Sequence, residues 1–218
     1  MDRYNEEQFK IDFPKTEVGK KVLAEIPDWV TISYSPFGSI GYGDTPRENL
    51  LTIHVVPFFY ISKLLEKNPK VLADIGCGMN FFKYFIPEII GIDPTDHPKV
   101  DNIDYFDDVY SKGHTDSFDC AMAINAIHFI SLKDINKQLK SFSNIIKPGG
   151  RGFVTFNVER MIERTDEKDM ISDAHLSSYI KQQVDQALPN VLAYDDYINE
   201  IEGDVMNGNI RIAFEKEN

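Results

Sequence analysis

Between Val71 and Asp93 the chain has room for little but one compact unit. A short apolar run, Val71 to Ile75, stops at Gly76-Cys77-Gly78, and a second, Ile89 to Ile92, stops at the carboxylate of Asp93. Continuous apolar runs of this length, bounded by turn formers, read as strands buried on both faces. Pro87 has no N–H to extend a helix, so Phe81 to Ile86 can form little more than a turn and a half. The spacing predicts strand, tight turn, short helix, strand. Glycines let the backbone approach a ligand closely. A carboxylate at the carboxyl end of the second strand can accept both hydroxyls of a ribose.

More of the chain follows in a recognisable order. Asp74-Ile75-Gly76-Cys77-Gly78 and Gly91-Ile92-Asp93-Pro94 are followed by Phe118-Asp119-Cys120-Ala121-Met122-Ala123-Ile124-Asn125 and by Ile146-Lys147-Pro148-Gly149-Gly150-Arg151-Gly152. This series, from Lys70 to Asn157, resembles the class I S-adenosylmethionine-dependent methyltransferases, the type 11/12-like group of the Rossmann-like superfamily. The resemblance implies a three-layer α/β/α sandwich around a mostly parallel seven-stranded sheet with a C-terminal antiparallel strand. The implied strand order is third, second, first, fourth, fifth, seventh, sixth. It also implies S-adenosylmethionine as cofactor, S-adenosylhomocysteine as product, and one methyltransferase domain over residues 1–218. Residues 1–44 would be an N-terminal extension and 159–189 an insertion, both on the substrate side.

By the same resemblance, Gly76, Cys77 and Gly78 form the turn beside the ribose and methionine portion, and Asp74 serves the amino-acid end. Asp93 takes the ribose hydroxyls, with Pro94 beside the adenine. Asp107, Asp108 and Val109, to within one position, are the candidates to hold the adenine, although the two aspartates read equally well as solvated loop residues. Asn125 would face the sulfonium. Two departures stand out. Asn80 occupies the place of the family's third glycine, and asparagine tolerates positive φ better than most residues. Gly76 to Asp93 spans 17 positions, short of the roughly 20 usual for such units. A nicotinamide-binding reading would need glycine at 81, where the chain has Phe81.

The bulk numbers exclude several classes. The net charge is -12 over 218 residues, which repels polyphosphate, so a nonspecific nucleic-acid binder is disfavoured. Residues 159–204 hold 12 acidic and 4 basic side chains, two thirds of that net charge. The fourth strand lacks the Asn/Asp-Pro-Pro-Tyr/Phe signature of amino-methylating nucleic-acid enzymes, and no Pro-Cys dipeptide occurs. A small-molecule acceptor is the expectation. Cys77 and Cys120 show no metal or disulfide spacing, so no metal site is expected. There is no signal-peptide core and no membrane-length apolar stretch, so the expected compartment is cytoplasmic. The oligomeric state is open.

Several further elements can be read along the chain. Thr45-Pro46-Arg47-Glu48 looks like a helix start, and the helix should run toward Lys67 with a break at Pro57. A short strand is expected near Ile103 to Phe106. Ser131 and Asp134 suggest a capping box for a helix presenting Ile135, Leu139, Phe142 and Ile146, ended by Pro148-Gly149-Gly150. A fifth strand follows over Gly152 to Asn157. Asp173 to Leu188 reads as a helix, and Val191 to Tyr197 and Asn209 to Glu215 as the last strands, with Asn207-Gly208-Asn209 as a tight turn. His128 is the candidate general base, against a plain role in helix start or packing. His54 and His175 are further histidines that could reach the pocket. Phe81, Phe82, Tyr84, Phe129 and Tyr34 either wall an acceptor pocket or pack the core. A catalytically inactive cofactor- or partner-binding module of the same fold is the alternative to an enzyme.

Overall fold

The computed structural model describes residues 4–26, 30–35, 52–78, 80–96, 98, 100–104, 106–127, 131–166, 169–171, 173–201 and 204–218. Helices α1 (Glu6–Asp12) and α2 (Glu17–Glu25) come first, capped by Asn5 and Thr16, whose side chains accept the N–H of Gln8 and Gly19. Strands β1 (Thr31–Ser33) and β2 (Thr52–His54) pair in parallel as a small separate sheet. Helix α3 (Val56–Leu65) then leads into β3 (Leu72–Ile75). The helix expected over 45–67 is thus corrected. Thr52 and Ile53 are β-branched and favour extended backbone, and Pro57 sits in the first turn of α3, where its missing N–H is harmless. The proposed Thr45–Glu48 capping box lies outside the described residues.

After β3 come a 3-10 turn, Phe81–Tyr84, then β4 (Ile89–Asp93), β5 (Asn102–Ile103), α4 (Asp108–Gly113) and β6 (Phe118–Ile124). These are followed by α5 (Ile135–Asn144), β7 (Ile146–Asn157), α6 (Val158–Glu163), α7 (Asp173–Ala187), β8 (Asn190–Ile201) and β9 (Asp204–Glu215). The main sheet has seven strands in the order β5-β4-β3-β6-β7-β9-β8. Counting β3 as the first strand of that sheet, this is the order the resemblance implied. Only β9 runs against its neighbours. The fold is therefore Rossmann-like, with the strand order of class I methyltransferases.

Helices cover both faces. Alternate residues of the central strands enter two apolar layers: Leu72, Met122 and Phe153 pack toward α3, α1 and α2, while Ala73, Ala123, Val154 and Phe156 pack toward α5 and α7. The α7 face of Leu176, Ile180, Val184 and Ala187 is buried in the second layer, as expected from its spacing. Three boundaries differ from expectation. Helix α5 stops at Asn144 and β7 begins at Ile146, so Pro148-Gly149-Gly150 lies inside that strand, at a break in its register with β6. Ser131 Oγ donates to Asp134 Oδ2 at 2.9 Å and caps no backbone N–H. Asn207, Gly208 and Asn209 lie within β9, opposite Asn199, Ile198 and Tyr197, so the expected tight turn there is a paired strand.

Candidate functional site

The turn after β3 is held by β4. Gly76 N and Cys77 N both donate to the Ile92 carbonyl, at 2.7 and 3.3 Å. Gly76, Gly78 and Asn80 have φ of 66°, 53° and 50°, so three left-handed residues bend the chain sharply. A side chain at Gly76 would strike Ala126 Cβ at 2.4 Å, because the ends of β3 and β6 nearly touch. One at Gly78 would meet nothing within 4 Å. Asp93, at the end of β4, is 7 % exposed. Its Oδ2 accepts Gly78 N and its Oδ1 accepts Thr95 N, both at 2.8 Å. The carboxylate therefore ties the glycine turn to the start of the next loop.

A cleft of about 400 Å³ opens at the carboxyl ends of β3, β4 and β6. This is the crevice between β3 and β6 where the strand order reverses, the place where open α/β sheets bind ligands. Gly76, Asp93, Pro94, Asp107 and Asn125 line it, together with Thr95, Asp104, Phe106, Ile127 and Gln138. Larger clefts, of about 700, 880 and 490 Å³, lie against α1 and α2, between α7 and β8, and between Lys67–Val71 and Lys147–Gly150. None of these holds the glycine turn or the carboxyl ends of β3, β4 and β6, so the smallest is the candidate site.

The remaining expected residues sit around it in different ways. Asp107 Oδ1 accepts Val109 N and Tyr110 N at 2.8 Å and caps α4. Val109 is 76 % exposed and does not line the cleft; Phe106 does, packed against Tyr110 and Phe142. Asp108 starts α4. Asn125, with φ of 53°, is anchored to β7: its N–H donates to the Thr155 carbonyl and its Oδ1 accepts Thr155 Oγ1 at 2.9 Å. Asn80 is fully buried, with Nδ2 3.5 Å from Asp101 Oδ2. It lies over Gly91, where any side chain would collide with it. Asp101 also receives Gly91 N and Lys83 Nζ, so Asn80 belongs to a polar knot that braces β4. His128 and Phe129 lie outside the described residues.

Asp74 lies in β3, opposite Gly91 of β4 and Met122 of β6. Burial, and then the charge of Asp93, push its carboxyl well above the usual carboxylate range. Burial likewise pushes the Cys77 thiol up, with Asp74 and Asp93 adding to it; such a thiol is no nucleophile. His54 ends β2, and its Nδ1 is buried without a hydrogen-bond partner. Burial and the charge of Arg211 lower its pKa. His175 is exposed on α7. Among the described residues no group of acidic, histidine or cysteine side chains could hold a metal.

Phe106, which lines the cleft, stands one position before Asp107. Thr95, Gln138 and Thr155 carried no local signal. Thr155 lies two residues before the end of β7 and resembles any strand residue until β7 is placed beside β6.

No family model matches the chain, and no curated protein sequence matches it. Solved structures do. The CurJ carbon methyltransferase aligns with TM-score 0.45 and 16% identity over 72% of this chain, and the chain spans only 52% of that protein's length. A SAM-dependent methyltransferase from Archaeoglobus fulgidus aligns with TM-score 0.46 and 14% identity over 73% of this chain and 90% of its own. The Burkholderia thailandensis 1,6-didemethyltoxoflavin-N1-methyltransferase, solved with 1,6-didemethyltoxoflavin and S-adenosylhomocysteine, aligns with TM-score 0.44 and 11% identity over 98% and 87%. These likenesses are distant, and the fold stands on the strand order itself.

Proposed function

We propose that this protein is an S-adenosylmethionine-dependent methyltransferase acting on a small molecule. The observation that carries this reading is the Gly76–Gly78 turn, tied through Gly78 N to Asp93 at the crevice between β3 and β6. Asp93 keeps further lone pairs for the ribose hydroxyls, since each carboxylate oxygen accepts more than one hydrogen bond. Phe106 and Ile127 give the adenine an apolar wall, with Asp107 at its rim. Asn125, oriented by Thr155, is the polar group nearest the place for the sulfonium. Methyl transfer is an in-line displacement, and holding acceptor and sulfonium in line supplies much of the rate. Residues 1–44 and 159–189 are proposed to face the acceptor, with His128 as its base. The acidic surface supports a neutral or cationic acceptor and opposes a nucleic acid. Among the described residues no helix is long and apolar enough to cross a membrane.

Calorimetric titration with S-adenosylhomocysteine tests the reading. We expect binding, weakened more than about tenfold in Asp93→Ala, which loses charge-assisted hydrogen bonds. No heat at millimolar ligand sinks the proposal. A second reading, a module that binds cofactor or partner without turnover, is favoured by the fact that both Asp93 oxygens already hold backbone N–H groups. Transfer of labelled methyl groups into any extract fraction excludes it.

A further inference from the structure

The cleft of about 880 Å³ between α7 and β8 shares no lining residue with the cleft at the strand ends. Tyr194 on β8 lines it. That side chain is 8 % exposed, and its Oη is buried without a hydrogen-bond partner. Buried hydroxyls are ordinarily paired, so this one leaves an open polar contact in the cleft wall. Asp196 lies two residues along the same face of the strand, near the phenol but not at bonding geometry. Burial, then the charges of Asp196 and Asp185, push the phenol up, so it stays protonated. Its oxygen keeps lone pairs for a donor.

The charges around Tyr194 are unevenly matched. Asp196 is half-buried and accepts Ser177 Oγ from α7. Among the described residues no cation is paired with it. Asp195 lines the same cleft, but its side chain belongs to the opposite face of the strand, where Tyr60 and Tyr4 hold it. Lys181 on α7 is the only cation in the lining. Its Nζ pairs with Asp185 and lies 5.3 Å from the centroid of the Tyr194 ring. An ammonium of the protein's own thus sits where an aromatic face meets a carboxylate, an arrangement that attracts organic cations. Its pair with Asp185 is a surface pair one helical turn apart, and such pairs are weak.

We propose that this cleft binds a small aliphatic diamine, with Lys181 as the built-in occupant that the ligand displaces. One ammonium donates to Asp196 and to Tyr194 Oη, which supply a missing cation and a missing donor. The second takes the place of Lys181 at Asp185. A volume of about 880 Å³ lies within the range of small-molecule sites.

Calorimetric titration with 1,5-diaminopentane tests the site, with 1,5-pentanediol as the uncharged probe of the same length. We expect one diamine bound per chain and no heat from the diol. Asp196→Asn should weaken binding more than about tenfold, by loss of a charge-assisted contact, and Tyr194→Phe about threefold or more. Lys181→Met removes the competing charge and should strengthen binding about threefold or more. Glu88, exposed and outside the lining, is the control: Glu88→Gln removes one negative charge elsewhere and should change affinity less than about twofold. Lys181→Met alters a helix surface and Tyr194→Phe keeps the buried ring, so both test the site even if Asp196→Asn fails to fold. No heat from the diamine, or equal heat from the diol, overturns the inference. Equal weakening by Asp196→Asn and Glu88→Gln overturns it too, since the diamine would then follow the net charge alone. So does weaker binding in Lys181→Met. Titration with S-adenosylhomocysteine reports on the other cleft, so the two readings stand or fall separately.

Discussion

Gly76 and Gly78 share a left-handed backbone but are needed for different reasons. At both, a side chain would face the αL penalty of about 1–2 kcal/mol. At Gly76 the new Cβ would also lie 2.4 Å from Ala126 Cβ, adding an overpacking term of about 1–3 kcal/mol. Urea unfolding should therefore show Gly76→Ala losing about 3 kcal/mol and Gly78→Ala about 1 kcal/mol. Equal losses would mean that β3 and β6 separate freely. Asp74 yields a pH prediction. Its folded pKa is raised above its unfolded value, so the unfolded chain ionises first as pH rises. Stability is then highest at low pH with respect to this group, and falls from the ordinary carboxylate range up to the folded pKa. Asp74→Asn should melt higher than the parent at pH 7, and the gap should close toward pH 4. A constant gap would contradict the burial of an unpaired acid. Of the cleft residues, Gly76 and Asp93 could be read from local spacing, because turn and carboxylate act within one strand-turn-strand unit. Thr155, which orients the cleft residue Asn125 from outside the lining, could not, because that contact exists only once two strands are paired.

Among elements, the central strands were legible because β3, β4 and β6 are buried on both faces and read as apolar runs, interrupted only by Asp74, Gly91, Asp93 and Asp119. The periphery was not. Strands β8 and β9 carry Asp195, Asp196, Asn199 and Asn207 through paired regions, with a register shift after Asn199. Their polar residues look like loop, and Asn207-Gly208-Asn209 looks like a turn. The β2–α3 boundary is the sharper case. A helix running from Thr45 would place Pro57 in its interior, where replacement by alanine should gain about 3 kcal/mol. In the structure Pro57 occupies the first turn of α3, after a strand ending at His54. Pro57→Ala should therefore be neutral or lose up to about 1 kcal/mol, since proline there restricts the unfolded chain at no cost to the helix. A gain of several kcal/mol in chemical unfolding would restore the continuous helix.

Across the whole molecule, α3 is the strut that sets one face of the sheet against the N-terminal helices. It runs opposite to β7. Near its carboxyl end, Arg151 Nη1 donates to the Lys63 carbonyl and to Glu66 Oε2, both at 2.7 Å. Midway, Tyr60 stacks on Phe153 with ring centroids 4.7 Å apart. The Tyr60 hydroxyl donates to Asp195 Oδ2 on β8, which also accepts Tyr4 N at 3.2 Å. Asp195 is 5 % exposed, and these donors give its buried carboxylate hydrogen-bond partners. One carboxylate thus joins α3, the strand at the sheet's edge and the start of the chain, and it is not among the residues that line the cleft. Tyr60→Phe keeps the ring stack and removes one charge-assisted hydrogen bond, a loss of about 2 kcal/mol. For a chain of this size that lowers the melting temperature by roughly 4–8 °C. The cleft is lined by Gly76, Asp93 and the residues after β6, and Tyr60 is not among its lining residues. Affinity for S-adenosylhomocysteine, titrated below the variant's melting range, should therefore stay within about twofold of the parent. A parallel loss of affinity would mean that the α3 strut and the ligand site are one cooperative unit, and that stability and binding cannot be tuned apart.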